Sequence, residues 1–209
     1  KAVSLAGFSL FLAIGKYMLT IACGLTIHMF IVLPTLFYML TKINPLQHFR
    51  AMASALATAF ATSSSNATLP MTMQCVEKNA GVSNKVSSFV LPMGATINMD
   101  GTALYECAGV LFISQVLGVD LSLTGQLTIV ITALLASIGA AGIPSAGLVM
   151  IFIVTQAVGF QDADVAIIVG AMLAVDRPLD MMRTMINIFS DSIGASIIAK
   201  SEGENLYDN

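Results

Sequence analysis

The sequence has no tryptophan, two histidines and three cysteines in 209 residues, and only 10% of it is charged. Each scarcity excludes something. With His28 and His48 alone, neither a histidine-rich metal centre nor a Ser/His/Asp triad can be assembled. Cys23, Cys75 and Cys107 are widely spaced in apolar sequence and form no CxxC pair, so they read as free thiols. Soluble domains carry about 25% charged residues, which rules out an ordinary soluble domain and a disordered segment here. So few charges leave no basic stripe for nucleic acid, and the net charge of -3 is too small to say anything about partners. What fills the chain instead is apolar: 56% of residues are hydrophobic, and mean hydropathy is +0.86. The apolar runs are long and do not alternate, which predicts an all-α integral membrane protein.

The few charges divide the chain into blocks. Tyr17 to Thr41 is uncharged and long enough for one spanning helix, ending at the loop signal Lys42-Ile43-Asn44-Pro45. Ala51 to Val76 is also uncharged, but its centre reads Thr62-Ser63-Ser64-Ser65-Asn66. Lys42 and Arg50 precede this block, and Lys78 and Lys85 follow it. The preference for basic loops on the cytoplasmic side keeps both flanks there, so the block enters the membrane and returns. Val86 to Val116 then crosses outward. Leu121 to Gln161 carries no charge and is long enough for two full spans or a larger hairpin; its Gly/Ser/Pro stretch from Ser137 to Gly147 favours a second hairpin tip. Val165 to Ala199 leads back inward.

This pattern is hairpin-then-helix, twice, with opposite orientation. It is an inverted repeat of a re-entrant helical hairpin plus a transmembrane helix, in which irregular backbone is covered by protein or lines a cavity. The expected segments are 1–16, a loop or the end of a preceding helix; 17–49, a spanning helix and cytoplasmic loop; 50–119, the first hairpin and a helix containing Asn98-Met99-Asp100-Gly101-Thr102; 120–199, the second hairpin and the last helix; and 200–209, a cytoplasmic tail. Residues 1–16 resemble a signal peptide superficially but lack a clear cleavage end.

The last block carries the strongest chemical signal. At about 100° per residue, Asp176, Asp180, Arg183, Asn187 and Asp191 fall within an arc of about 80°. A charge at a helix centre costs about 2.5–3.5 kcal/mol on the insertion scale. The stripe therefore faces a polar cavity or the bundle interior, either as an internal ion-pair network or as a binding surface. One arginine leaves the carboxylates under-compensated, which favours bound cations. Asn98, Met99 and Asp100 add oxygen ligands suited to hard cations, at a place where Gly101 loosens the helix. Glu106 is either a lone interior acid that exchanges a proton or the partner of an unseen base. The hairpin tips offer N–H groups and hydroxyls to an anion, or serve only as packing turns.

Four motifs then carry a resemblance. Ser63–Pro70 reads SSSNATLP, Leu91–Glu106 reads LPMGATINMDGTALYE, Leu135–Gly147 reads LASIGAAGIPSAG and Leu179–Asp191 reads LDMMRTMINIFSD. From about Gly24 to the tail the chain resembles the dicarboxylate/amino acid:cation symporter family, which includes glutamate and aspartate transporters. The resemblance implies a multi-pass homotrimer of the cell membrane, with a scaffold and a moving transport domain in each protomer. It also implies that the chain is the C-terminal half, that sodium is the coupling ion and that there is no organic cofactor.

Carried over by motif, Asp180 would bind a substrate ammonium and Arg183 its side-chain carboxylate. Asn187, Ser64 and Ser65 would take the main-chain carboxylate. Thr102 and Thr184 would line the site, and Gly142 and Gly147 belong to the second, gating tip. Gly94, Asn98, Asn187 and Asp191 resemble one sodium site; Thr96, Met99, Ser137, Ile138 and Ala140 a second; Asn98 with Asp100 a third. Glu106 matches the acidic position associated with proton transport in animal members. The chain departs from the family at Ser63, where archaeal members have Arg, and at Met181, where animal members do; Arg177, one turn earlier, is the candidate replacement.

The expected function is sodium-coupled uptake of L-glutamate or L-aspartate by an elevator movement. Carriers of C4-dicarboxylates or neutral amino acids, and an anion channel, are the alternatives. An intramembrane hydrolase is disfavoured by the single arginine among the carboxylates and the absence of a nearby histidine.

Overall fold

The computed structural model describes residues 2–207, with side-chain surroundings from residue 12 onward. Lys1, Asp208 and Asn209, at the ends of the first and last expected segments, lie outside the described residues. Those described form an all-helical protein. Helix α1 (Ala2–Ile27) crosses residue 16 without a break and joins α2 (Leu33–Thr41) through a π-helical turn, His28–Val32. Pro34 sits at the start of α2, where the widened turn tolerates its missing N–H. Leu12–Thr41 is the one stretch among the described residues that is both long and apolar enough to cross a membrane.

Local sequence explains most of the ends. Lys42 adopts left-handed geometry and closes α2. The Asn44 side chain caps α3 (Pro45–Thr62) and Pro45 opens it. Ser63 is left-handed, and the Ser64 hydroxyl accepts from Ala67 N–H to start α4 (Ser65–Lys78). Ser83 caps α5 (Asn84–Ile97) and Ser122 caps α7 (Leu123–Ile138) by the same device. Between α5 and α6 (Asp100–Val116) the helix breaks at Asn98 and Met99. Helix α8 (Ala146–Ala157) begins at left-handed Ser145. Helix α9 (Asp162–Ser201) has 40 residues, so it extends roughly 60 Å, about twice the thickness of a hydrocarbon core. Pro178 lies inside it without ending it.

Two helical hairpins, α3–α4 and α7–α8, meet tip to tip. The Asn66 N–H donates to Gly142 O at 3.2 Å, and the Ser64 hydroxyl donates to the same carbonyl at 2.6 Å. Helix α9 packs against both hairpins, α1, α2, α5 and α6, so it is the axis of the fold. Polarity is inverted relative to a water-soluble protein. Large apolar side chains such as Leu19, Phe89, Leu123 and Val149 face outward, while Asp176, Asp180 and Arg183 are buried.

Residues 204–207 fold back onto the loop between α4 and α5. Ser83 donates its N–H and its hydroxyl to the Glu204 carboxylate, and Tyr207 N–H donates to Ala80 O. Burial pushes the Tyr207 phenol up to about 12, and its oxygen lies 2.5 Å from His48 Nδ1.

Candidate functional site

Helix α9 presents Asp176, Asp180, Arg183, Asn187 and Asp191 on one inward face, as their spacing predicts. None is more than 4% exposed. Arg183 donates from Nη2 to Asp180 Oδ1, and its guanidinium carbon stands 4.5 Å above the Tyr105 ring centroid. Its other terminal nitrogen, Nη1, is buried with no hydrogen-bond partner among the described residues. A guanidinium satisfied along one edge and bare along the other is prepared for a second, planar acid. Thr184 lies beside the pair, its hydroxyl donated to Asp180 O, and Asn187 donates to the Thr102 hydroxyl at 3.0 Å.

Both hairpin tips close on this face. Ser63, Ser65 and Thr102 share a cavity with Gly142, Gly147, Asp180, Arg183, Thr184 and Asn187. At Gly147 the backbone approaches the Arg183 guanidinium so closely that a Cβ would displace Nη1 from its present position. At Gly142 a Cβ would lie 2.8 Å from Asn66 Oδ1. The Ser145 N–H donates to Asp180 Oδ2 at 2.8 Å, and its hydroxyl donates to Asp176 Oδ2 at 2.9 Å. Tyr105 donates to the remaining oxygen, Asp176 Oδ1, at 2.8 Å. At the second tip one N–H, that of Ser145, is thus directed to an acid, and the acid is the protein's own Asp180; at the first tip Asn66 N–H goes to the Gly142 carbonyl.

The cavity is consequently small. Its volume is about 10 Å³, room for roughly one water. The seam is shielded and polar, and the cavity as it stands is too small for an amino acid. A larger cavity of about 620 Å³ between α1 and α6 is mostly apolar, with Lys16 and Gln115 in its lining, and contains none of the expected site residues.

The expected cation ligands are gathered unevenly. Asp191 packs against Gly94, where a Cβ would lie 2.5 Å from its Oδ1, and Asn98 donates to the same oxygen at 2.9 Å. Asp100 lies beside them, linked through Ser190. The side-chain oxygen Oδ1 of Asn187 accepts instead from Gly101 N–H at 2.9 Å. The second set is looser. Met99 and Ala140 border the small cavity, but the hydroxyls of Thr96 and Ser137 turn back to Met93 O and Leu134 O, and Ile138 is exposed. Glu106 is fully buried, and neither carboxyl oxygen has a partner among the described residues. An ionised carboxylate there has no hydrogen-bond donor among the described residues to offset its desolvation.

Gly101 acts differently from the expectation that it loosens the helix. The break falls at Asn98 and Met99, and Gly101 is helical. What it supplies is space, since a Cβ would lie 2.9 Å from both Arg183 O and Asn187 Oδ1. Gly101→Ala is therefore expected to cost about 1–3 kcal/mol through overpacking against a backbone atom. A lowered midpoint of thermal unfolding in detergent checks this, and an unchanged midpoint contradicts it.

Sequence reasoning missed Tyr105, Ser145, Ser190 and His28 as members of this network. Each acts through a partner distant in sequence; His28, for example, lies 2.6 Å from Asp100 across 72 positions. The available signal was position, because Tyr105 and Ser145 fall inside the recognised motifs and Ser190 precedes Asp191.

Comparison with known proteins matches this arrangement to a family. Residues 1–201 match the pattern described as the sodium:dicarboxylate symporter family. Excitatory amino acid transporter 3 of Mus musculus is 47% identical over 206 residues, covering 99% of this chain and 39% of that protein. An excitatory amino acid transporter of Caenorhabditis elegans is 51% identical over 185 residues, covering 88% and 36% respectively. Excitatory amino acid transporter 1 of Rattus norvegicus is 50% identical over 185 residues, covering 88% and 33%. The chain therefore spans less than two fifths of the length of these curated relatives. The match runs through both hairpin tips and the buried face of α9, and by it the chain belongs to the sodium:dicarboxylate symporter family, a family of transporters and not of enzymes.

Proposed function

We propose that this chain supplies the substrate- and cation-binding part of a membrane symporter that couples uptake of L-glutamate or L-aspartate to a sodium gradient. The observation that carries the reading is the buried Asp180–Arg183 pair with Arg183 Nη1 left bare beneath the second hairpin tip. An acidic amino acid has the complementary groups. Its ammonium replaces Ser145 N–H at Asp180, and its side-chain carboxylate takes the open edge of Arg183. Its main-chain carboxylate reaches Asn187 and the first tip at Ser64 and Ser65, while Thr102 and Thr184 line the space. A C4-dicarboxylate has no group for Asp180, and a neutral amino acid has none for Arg183.

Sodium is transported as a co-substrate. Asp191 with Gly94 and Asn98 forms one place for it, with Asn187 closing the set, and Asp100 with Asn98 forms another. Thr96, Met99, Ser137, Ile138 and Ala140 form a third once the α7–α8 tip rearranges around the substrate. Glu106 is the proton carrier. In the bilayer, α3–α4 and α7–α8 enter from opposite faces and return, α6 and α9 span, and the chain assembles within a homotrimer whose transport domains move as elevators. Coupling arises because hairpin α7–α8 re-closes fully only over amino acid and cation together, so neither crosses alone. The cavity of about 10 Å³, far too narrow for a continuous pore, favours such a carrier over an open anion channel.

Uptake of radiolabelled aspartate and glutamate by the reconstituted full-length protein tests this reading. Concentrative uptake is expected under an inward sodium gradient and should disappear when the gradient is collapsed. Non-saturating flux indifferent to sodium would sink it.

A further inference from the structure

The sodium-coupled reading places cations at two carboxylates, Asp100 and Asp191, on different helices. Resting on that reading, we infer that Ser190 is a positioning residue that couples the two, so that filling one cation place changes the affinity of the other.

The two carboxylates are joined by an unbroken run of hydrogen bonds. Asn98 Nδ2 donates one hydrogen to Asp191 Oδ1 at 2.9 Å and the other to the Ser190 hydroxyl at 2.8 Å. Ser190 donates onward to Asp100 Oδ1 at 2.9 Å. Asp100 is held at its far oxygen by His28, 2.6 Å away, and at Oδ1 also by Gly101 N–H. The group at position 190 must accept from an amide and donate to a carboxylate at once, which a hydroxyl does and a hydrocarbon does not.

Ser190 also has two destinations for its single proton. Its oxygen lies 3.1 Å from Asn187 O as well as 2.9 Å from Asp100 Oδ1. A cation arriving at Asp100 competes with the hydroxyl for the same oxygen and sends the proton to Asn187 O. The Ser190 lone pairs turn with it, Asn98 is released from one of its two acceptors, and its remaining hydrogen bond holds Asp191 in a changed position. The serine is thus a two-position element whose balance both cation places bias, which is what energetic coupling between sites requires.

The test is the sodium dependence of aspartate uptake by the full-length protein and by Ser190→Ala and Ser190→Thr in proteoliposomes. The alanine variant is expected to show a Hill coefficient for sodium reduced toward 1 and a half-saturating sodium concentration raised by about 5-fold or more. The loss should appear in half-saturating sodium and not in the maximal rate. Threonine keeps the hydroxyl and is expected to restore the cooperative curve. A normal sodium curve for Ser190→Ala, or a threonine variant as defective as alanine, overturns the coupling role and leaves packing only. Uptake by the unsubstituted protein that ignores sodium is a different failure, because it removes the transport reading before any variants are compared.

Discussion

Replacing Arg183 by cysteine is expected to abolish recognition of acidic amino acids while leaving the protein able to bind neutral ones. Arg183 is buried, paired on one edge with Asp180 and bare on the other. Truncating one member of a buried, hydrogen-bonded charge pair costs about 2–5 kcal/mol of binding, which corresponds to a loss of roughly 30-fold to several thousand-fold in affinity. Cysteine removes the cation but leaves Asp180 able to meet an ammonium, so the preference should move toward serine- or cysteine-sized substrates. Competition between labelled aspartate and unlabelled neutral amino acids reads this out. Acidic-substrate uptake at the original affinity would contradict the assignment of Arg183.

The second large effect concerns Asp180→Ser, and the structure alters what the sequence led one to expect. The family resemblance, which makes Asp180 the partner of a substrate ammonium, implies that this substitution weakens amino acid binding far more than folding. The geometry makes Asp180 the counter-charge of Arg183 and the acceptor of the Ser145 N–H as well. Its loss strands a buried guanidinium, a change worth about 3–5 kcal/mol of stability. The double variant Asp180→Ser with Arg183→Cys separates the two consequences. Removing both charges leaves no buried guanidinium stranded, so the double variant should be more stable to heat than Asp180→Ser alone while amino acid binding stays lost. Recovery of binding along with stability would show that Asp180 serves the fold and not the substrate.

Much of this site was legible in the sequence for reasons that are local. Five polar residues on one arc of an otherwise apolar helix have only one affordable orientation, and α9 adopts it. The first hairpin tip was legible because Thr62 to Asn66 combine weak helix formers at the centre of an apolar block, and Ser63 and Ser64 form the turn and the cap. Gly101 was misread because a glycine in a helix has two explanations, flexibility and room. Only the positions of Arg183 O and Asn187 Oδ1, contributed by a helix more than eighty positions away, decide between them. The break at Asn98 and Met99 has no breaker residue of its own.

The narrowness of the pocket was beyond the sequence for a similar reason. Hydrogen bonds from Ser145 to residues 31 and 35 positions away pull the tip onto α9, and no periodicity encodes a contact of that kind. The π-helical turn at His28 is likewise invisible until Asp100 is seen to lie against it.

The central claim is that the buried face of α9 holds an acidic amino acid together with sodium. Equilibrium binding of L-aspartate to the purified full-length protein, titrated calorimetrically with and without sodium, tests it most directly. Saturable binding that tightens steeply as sodium rises, and that vanishes in Arg183→Cys, is the predicted result. Aspartate binding of equal strength in sodium and in a sodium-free buffer, or binding unaffected by the loss of Arg183, would contradict it.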